Sequence, residues 1–365
     1  MAANARNAGP AYGMIGVFDH PWFGDLFADA TTRQIWSTDR QFGHMIAFET
    51  ALARGLGHIG NVPLDMSQAA VKSLKGFSPD IPALMAGTAR DGLPIPALIE
   101  QLRDAAGPHA AAIHTGATSQ DVLDTALVLS LREVAALTTT RLMTLVQALA
   151  DLDKRFGKKP LMGRTRMQAA LPITVSDRLH QWRAPLENYQ MELADKTEQA
   201  CVVQLGGPVG TRATWGAKAD DLAHHVAETL GLTTPTGSWH TQRASLVGFA
   251  NVMTQITGSL AKMGQDICLM AQQGIDEIAL EGGGTSSVMR HKNNPVRAEL
   301  LVTLGRFNAT QISGLHHAMI HEQERSGAAW TLEWMILPQI CTATCAALGS
   351  ALDICRKITH IGSKD

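Results

Sequence analysis

The stretch from residue 246 to residue 270 reads LVGFANVMTQITGSLAKMGQDICLM and decides the fold class. Its large apolar side chains are spaced alternately three and four residues apart, at Leu246, Phe249, Met253, Ile256, Leu260, Met263, Ile267 and Met270. This is the heptad spacing of an α-helix that packs along one face, sustained for about seven turns. A single small domain cannot cover a helix of this length. The stretch therefore predicts a bundle of long helices.

Four further segments carry the same periodicity, with apolar residues on one helical face. They run over residues 131–152, 175–193, 301–319 and 334–348. Thr118 and Asp121 match a capping box ahead of the first segment, and Pro295 suits the first turn of the third. Pro185 and Pro338 are expected to bend or break the segments that contain them. Apolar faces this long indicate a bundle in which helices also meet other subunits.

The composition of the 365-residue chain agrees with an all-α fold and excludes several classes of partner. Aromatic residues make up only 5% of the chain, whereas strands are rich in aromatic and β-branched residues. A formal charge of −2 leaves no basic excess for nucleic acid or an anionic membrane. We expect neither a membrane-spanning segment nor a signal peptide. Five cysteines without a C-x-x-C pair favour a reduced, cytoplasmic setting.

Three glycine-containing stretches interrupt the helical periodicity, at residues 115–121, 204–211 and 281–295. The last reads EGGGTSSVMRHKNNP, a loop expected to be mobile until a ligand orders it. Lys292 and Asn294 stand just before a predicted helix start, where free backbone N–H groups also bind carboxylates. A flexible Gly-Ser linker is the alternative interpretation.

Two more stretches carry side chains suited to anions. Thr118 and Ser119 stand at a predicted helix start, where they form either a carboxylate seat or a plain N-cap. Residues 162–168, MGRTRMQ, place Arg164 and Arg166 close together, and guanidinium groups suit a polyanionic small molecule. A solvated or interhelical ion pair is the alternative for each arginine.

These stretches together resemble motifs of the fumarase/aspartase superfamily. The matching residues are His114–Asp121, Gly163-Arg-Thr-x-x-Gln168 and Ser286-Ser-x-Met-x-x-Lys292-x-Asn294-Pro295. Residues 239–243 and 324–334 are similar to later motifs of its cycloisomerases of aromatic-acid catabolism. Arg166 stands where adenylosuccinate lyases carry a histidine, and Arg290 stands where the loop usually has proline.

The resemblance implies a fold in which central helices from four subunits form one core. Each active site of this homotetramer would draw on different chains. The implied organisation is an N-terminal helical domain over residues 1–108, a central long-helix bundle over 109–358 and a tail over 359–365. The small C-terminal domain of the superfamily is expected to be absent. The resemblance implies neither a cofactor nor a metal ion, because in the implied reaction a carboxylate of the substrate itself is the nucleophile.

The implied reaction is the addition of one carboxylate of 3-carboxy-cis,cis-muconate across a double bond, which gives 4-carboxymuconolactone. Ser286 matches the catalytic base of the superfamily and would donate the proton during lactonisation. Lys292 and Asn294 would stabilise the charge that develops on the neighbouring carboxylate, with His114 and His240 as further proton donors. The expected substrate-binding residues are Thr118, Ser119, Arg164, Thr165, Arg166, Gln168, Gln242, Arg243, Ser287 and Met289.

Other functions stay open at this point. A β-eliminating lyase that releases fumarate is one, with Arg166 as the discriminating residue, and a cycloisomerase of a sulfonated muconate is another. His316, His317 and His321 could be interpreted as a metal site, although the zincin pattern H-E-x-x-H is not completed. A non-enzymatic structural protein is disfavoured by the intact loop motif.

Overall fold

The computed structural model describes residues 16–282, 284–285 and 293–363. Its α-helices in chain order are α1 (Gly24–Phe27), α2 (Ala30–Ile35), α3 (Thr38–His58), α4 (Leu64–Leu74), α5 (Ile81–Asp91), α6 (Ile95–Ala106), α7 (Ser119–Phe156), α8 (Val175–Ala200), α9 (Ala219–Leu230), α10 (Ala244–Met270), α11 (Val296–His317) and α12 (Ala328–Lys357). Single 3₁₀ turns span Gly107–Ala112 and Ala213–Lys218.

The five long helices α7, α8, α10, α11 and α12 pack into one bundle, as the heptad spacing predicts. Every apolar residue of the 246–270 stretch that defines the spacing is buried in its core. Contacts between helix ends show that α7, α10 and α12 run in one direction, whereas α8 and α11 begin beside the end of α10 and run back. The prediction of an all-α bundle of long helices is thereby confirmed.

Two prolines were expected to bend or break the helices that contain them, and neither proline ends its helix. Pro185 lies inside α8 and Pro338 lies inside α12. Each proline removes one backbone hydrogen bond, and the packing of the neighbouring helices outweighs that loss. Pro295 directly precedes α11, so it begins the helix as expected.

Short strands add to the helices at one end of the bundle. Strands β1 (Pro160–Thr165) and β2 (Gln168–Thr174) form a hairpin, β3 (Ile278–Leu280) pairs with β6 (Ile358–Ile361), and β4 (Gly284–Thr285) pairs with β5 (Asn293–Asn294). The hairpin turn consists of Arg166 and Met167, both with positive φ (48° and 69°). Positive φ at both central residues is the geometry of a type I′ turn. The helical periodicity did not indicate this hairpin.

A second apolar cluster joins the N-terminal helices to a later part of the chain. Phe48 and Leu52 of α3 pack in it with Leu222 and Val226 of α9. The boundary after residue 108 stays a prediction, and this cluster shows that residues beyond it complete the N-terminal core.

Helix α12 is long and apolar enough to cross a membrane by length and composition alone. However, 67% of its most apolar 18-residue window is buried inside the protein. Such burial is expected of a core helix, and Ile340, Cys341 and Leu348 lie in the bundle core.

Candidate active site

The bundle has two ends, and the predicted site residues divide between them. At the first end the starts of α7, α10 and α12 meet: Gln120 contacts the backbone of His240, and Trp330 contacts Asp124. At the second end these helices finish: Arg164, after α7, contacts Glu277, after α10. Helix α7 has 38 residues, so it separates the two ends by about 57 Å.

Asp121 organises the first end. Its carboxylate accepts the backbone N–H of Gly206 (2.8 Å) and of Gly207 (3.0 Å), and also the N–H of Thr118 (3.0 Å). His240 Nε2 lies 2.8 Å from Asp121 Oδ1. Because a carboxylate is an acceptor, His240 donates this hydrogen bond. Asp121 thus connects the start of α7, the glycine stretch at 204–211 and the loop before α10.

The two predicted residues at the start of α10 are placed differently. His240 is 2% exposed, and its Nδ1 has no hydrogen-bond partner among the described residues. Gln242 is exposed. The contacts of His240 favour a role in holding the first end together, so direct proton transfer by this residue stays a prediction.

Arg243 is fully buried in a charged network. Its guanidinium donates to both oxygens of Asp124 (2.6 and 3.0 Å) and to both oxygens of Glu333 (2.9 and 2.5 Å). The two carboxylates raise the pKa of Arg243 above its ordinary value, against the effect of burial. Burial raises the pKa of Glu333, and Arg243 opposes that shift. Four hydrogen bonds to protein carboxylates favour a structural role for Arg243 over clamping the substrate.

His114, Thr118 and Ser119 lie together just before and at the start of α7. His114 and Ser119 line a cavity of about 460 Å³ with Arg103 and residues of α6. His114 Nδ1 is 2.6 Å from the buried Glu49 of α3. Thr118 is engaged through its backbone with Asp121, and its side chain is half-buried. The segment before and at the start of α7 therefore places an imidazole, of His114, and a hydroxyl, of Ser119, at one cavity.

The second end holds two of the three predicted arginines, Arg164 and Arg166. Arg164, Arg166 and Arg178 line one cavity of about 330 Å³, together with Glu277 and Gln272. Arg164 Nη1 contacts both oxygens of Glu277, at 2.7 and 2.8 Å. Arg166 is exposed at the hairpin turn. A cavity with three guanidinium groups is suited to a molecule that carries several carboxylates.

Three more predicted residues lie at the second end. Thr165 and Gln168 are exposed and face each other in the register of the hairpin. Asn294 is half-buried in β5 and lines a separate cavity with Arg297 and Asp353. Four predicted residues lie outside the described residues: Ser286, Ser287, Met289 and Lys292.

One chain does not bring the whole predicted set together. Thr118, Ser119 and His114 lie at the first end, whereas Arg164 and Asn294 lie at the second. The sequence analysis also missed partners that the fold supplies. At the first end they are Glu49, Asp124 and Gln120, and at the second end they are Arg178 and Glu277. The side-chain Oε1 of Gln120 accepts a hydrogen bond from Arg325. These partners lie far apart in the chain, so no local spacing signals them.

No group of three or more histidine, cysteine or acidic residues that could hold a metal ion occurs in the described part of the chain. His321, one of the three histidines considered for a metal site, lies near Arg243. Burial lowers the pKa of His321, and the positive charge of Arg243 lowers it further. What the two ends offer is hydrogen-bond donors, guanidinium groups and an imidazole, a set that binds carboxylates and transfers protons.

Comparison with known proteins assigns the family. A model of a lyase family matches residues 96–314, well over half of the chain. The chain belongs to this lyase family. The resemblance to the fumarase/aspartase superfamily, and within it to the cycloisomerases, is thereby confirmed.

Three relatives of this lyase family member are informative. A 3-carboxy-cis,cis-muconate cycloisomerase of Pseudomonas aeruginosa is 36% identical over 339 residues, which are 91% of this chain and 74% of that protein. An N-acetyl-S-(2-succino)cysteine lyase of Enterococcus italicus is 30% identical and covers 90% of this chain and 73% of its own. The crystal structure of a 3-carboxy-cis,cis-muconate lactonizing enzyme from Pseudomonas putida superimposes with a TM-score of 0.86 at 34% identity, over 93% and 77% of the two chains.

Proposed function

We propose that this lyase family member is a cycloisomerase that converts 3-carboxy-cis,cis-muconate to 4-carboxymuconolactone in aromatic catabolism. The observation that carries the proposal is the cavity lined by Arg164, Arg166 and Arg178. Its three guanidinium groups match the three carboxylates of the substrate in number, and they outnumber the two carboxylates, Asp266 and Glu277, that line the same cavity. The relatives named as cycloisomerases of this substrate support the same conclusion.

The reaction joins a carboxylate oxygen to a carbon of the conjugated diene, and a proton is added to the neighbouring carbon. Ser286 donates this proton, and Lys292 with Asn294 stabilises the enolate-like carboxylate that forms next to it. The nucleophile is part of the substrate, so the reaction needs no external nucleophile. Arg164 and Arg166 hold the remaining carboxylates, and orientation supplies a large share of the rate.

Each active site in this proposal is shared between subunits of a homotetramer. His114 and Ser119 lie at the first end of a 38-residue helix, and the arginine cavity lies at the second. A small substrate cannot touch both ends of one chain across about 57 Å. Antiparallel packing of two copies places the first end of one beside the second end of the other. Light scattering should give about four times the 39.1 kDa chain mass, and a monomer would contradict the shared site.

The activity assay is direct. Purified protein is mixed with 3-carboxy-cis,cis-muconate, and the loss of conjugated-diene absorbance is followed, with 4-carboxymuconolactone identified by mass spectrometry. Added EDTA should leave the rate unchanged, because no step uses a metal ion. Failure to consume the substrate would remove the proposed function. We place the reaction in the cytoplasm, where the five thiols stay reduced.

A β-eliminating lyase is the second candidate, favoured by the relationship to the N-acetyl-S-(2-succino)cysteine lyase. Both reactions develop negative charge beside a carboxylate, so the same donors would serve either one. Incubation with N-acetyl-S-(2-succino)cysteine distinguishes them, because elimination releases fumarate and a thiol. Fumarate formation together with an unchanged muconate absorbance would favour the lyase.

A further inference from the structure

Glu49 is a buried carboxylate in an apolar setting. It lies in the middle of α3, next to Phe48, and is 0% exposed. The described residues offer its carboxylate one hydrogen-bond partner, His114 Nδ1 at 2.6 Å. Its other oxygen, Oε2, has no hydrogen-bond partner in the described part of the chain.

Packing alone does not account for this glutamate. Burying a carboxylate carries a large desolvation cost, and a single partner with one unsatisfied oxygen offsets only part of that cost. An apolar side chain among the Phe48 and Leu52 cluster would be at least as stable. The carboxylate therefore points to a role that depends on His114.

The hydrogen bond between Glu49 and His114 Nδ1 determines that Nε2 is the ring nitrogen left free of Glu49. A carboxylate only accepts hydrogen bonds, so the proton of a neutral His114 lies on Nδ1 and the lone pair lies on Nε2. No described residue is hydrogen-bonded to Nε2. His114 and Ser119 line the same cavity, at the start of α7.

The backbone conformation of His114 bears on the purpose of its contact with Glu49. Its φ is +59°, a left-handed conformation that is uncommon outside glycine. His114 lies in the loop that precedes α7, and on this backbone its imidazole could occupy more than one staggered rotamer. The Glu49 carboxylate selects one of them and is supplied by a different helix.

We propose that Glu49 is a positioning residue that holds His114 in one orientation and one tautomer, with Nε2 directed at the substrate. Nε2 then takes up a proton from solvent and gives it up at the cavity, where it replaces the proton that lactonisation consumes, while the negative charge of Glu49 stabilises the transient imidazolium. This inference rests on the proposed function for its substrate. It assigns Glu49 no contact with the substrate itself.

The test is a double-mutant cycle with Glu49→Gln, His114→Asn and the combined variant. Glu49→Gln should lower kcat at least ~10-fold with KM changed less than ~3-fold, since the residue acts through a catalytic imidazole. In the His114→Asn background the same substitution should have no further effect on kcat. Equal losses in both backgrounds, or an unchanged kcat in the single variant, would overturn the proposal.

Glu133→Gln is the matched control. Glu133 on α7 is another carboxylate beside a histidine of α3, with His44 Nε2 3.4 Å from Glu133 Oε1, and it does not line the cavity. Its loss should leave kcat within ~2-fold of the wild type. If Glu49→Gln fails to fold, Glu49→Asp keeps the charge but withdraws it by one methylene group, and the same cycle is run with that variant.

A chemical readout separates this inference from the proposed function. Diethyl pyrocarbonate acylates the unprotonated imidazole nitrogen, and peptide mass spectrometry gives the rate at His114. The rate should fall several-fold in Glu49→Gln and stay unchanged in Glu133→Gln, because the carboxylate enhances the nucleophilicity of Nε2. If wild-type protein leaves the muconate untouched, the proposed function fails, and this rate still decides whether Glu49 controls His114.

Discussion

The first and second ends of the bundle hold their charges in opposite ways. At the first end Arg243, Asp124 and Glu333 are buried and satisfy one another. At the second end Arg164 is one-third exposed and Arg166 is exposed at a hairpin turn, with both facing a cavity. Buried pairs hold helices in register, whereas accessible guanidinium groups can exchange partners for a ligand. The same residue type is therefore committed to the fold at one end and accessible to a ligand at the other.

Breaking the first-end network should give the largest effect. Arg243→Met leaves Asp124 and Glu333 as buried, unpaired carboxylates, so the free energy of unfolding should fall by about 3–5 kcal/mol. Arg166→Met at the second end is the control and should change it by less than ~0.5 kcal/mol. Urea titrations of both variants measure the difference. Equal stability of the two variants would show that the ends do not differ as described.

The glycine-containing stretch at residues 281–295 should dominate turnover instead. Ser286→Ala should keep the fold and lower kcat at least ~100-fold, which is typical of a positioned acid or base. Ser287→Ala should have a smaller effect, because the superfamily motif assigns proton transfer to the first serine. Steady-state kinetics with circular dichroism as the folding check measures both. Near-wild-type turnover of Ser286→Ala would shift the proton transfer to His114.

Arg166→His tests recognition at the hairpin turn. An imidazole holds a carboxylate less firmly than a guanidinium at neutral pH, so kcat/KM for the muconate should fall about 10-fold. The variant should not acquire adenylosuccinate lyase activity, because one histidine does not rebuild the other substrate contacts. An unchanged kcat/KM would remove Arg166 from the binding site.

The smallest effect concerns the pH dependence of stability at the first end. Burial lowers the pKa of His321, with Arg243 contributing, so the unfolded chain binds its proton more readily than the folded one. The stability that a neutral His321 contributes is complete above the ordinary histidine pKa of about 6.5 and declines as the pH falls below it. Melting temperatures between pH 8 and pH 5.5 should show this decline, and His321→Gln should reduce it. An identical pH profile in that variant would contradict the assignment.

The sequence predicted the helices well because their signals are local. The 246–270 stretch lies entirely within α10, and Thr118 with Asp121 marks the start of α7. The hairpin at residues 160–174 was missed since its turn, Arg166-Met167, lacks the Asn or Gly that usually marks positive φ. Pro185 does not end α8, because tertiary packing accommodates a proline inside the helix.

The candidate site was predicted by residue type more than by geometry. Resemblance to the superfamily selected Arg164 and Arg166, which do share a cavity, and Arg243, which is committed to two carboxylates. Glu49 and Glu277 could not be found in this way. Each lies 65 or more residues from its partner in the chain, so only the folded structure brings the pair together.

The shared active site is tested most directly by mixing two inactive variants. His114→Asn disables the first end and Asn294→Ala disables the second, and the two chains are co-expressed to form hybrid tetramers. If every site takes one end from each of two chains, about a quarter of the sites receive both intact ends, and activity should return to about a quarter of the wild-type value. Hybrids that stay as inactive as either parent would show that one chain supplies both ends and would contradict the account.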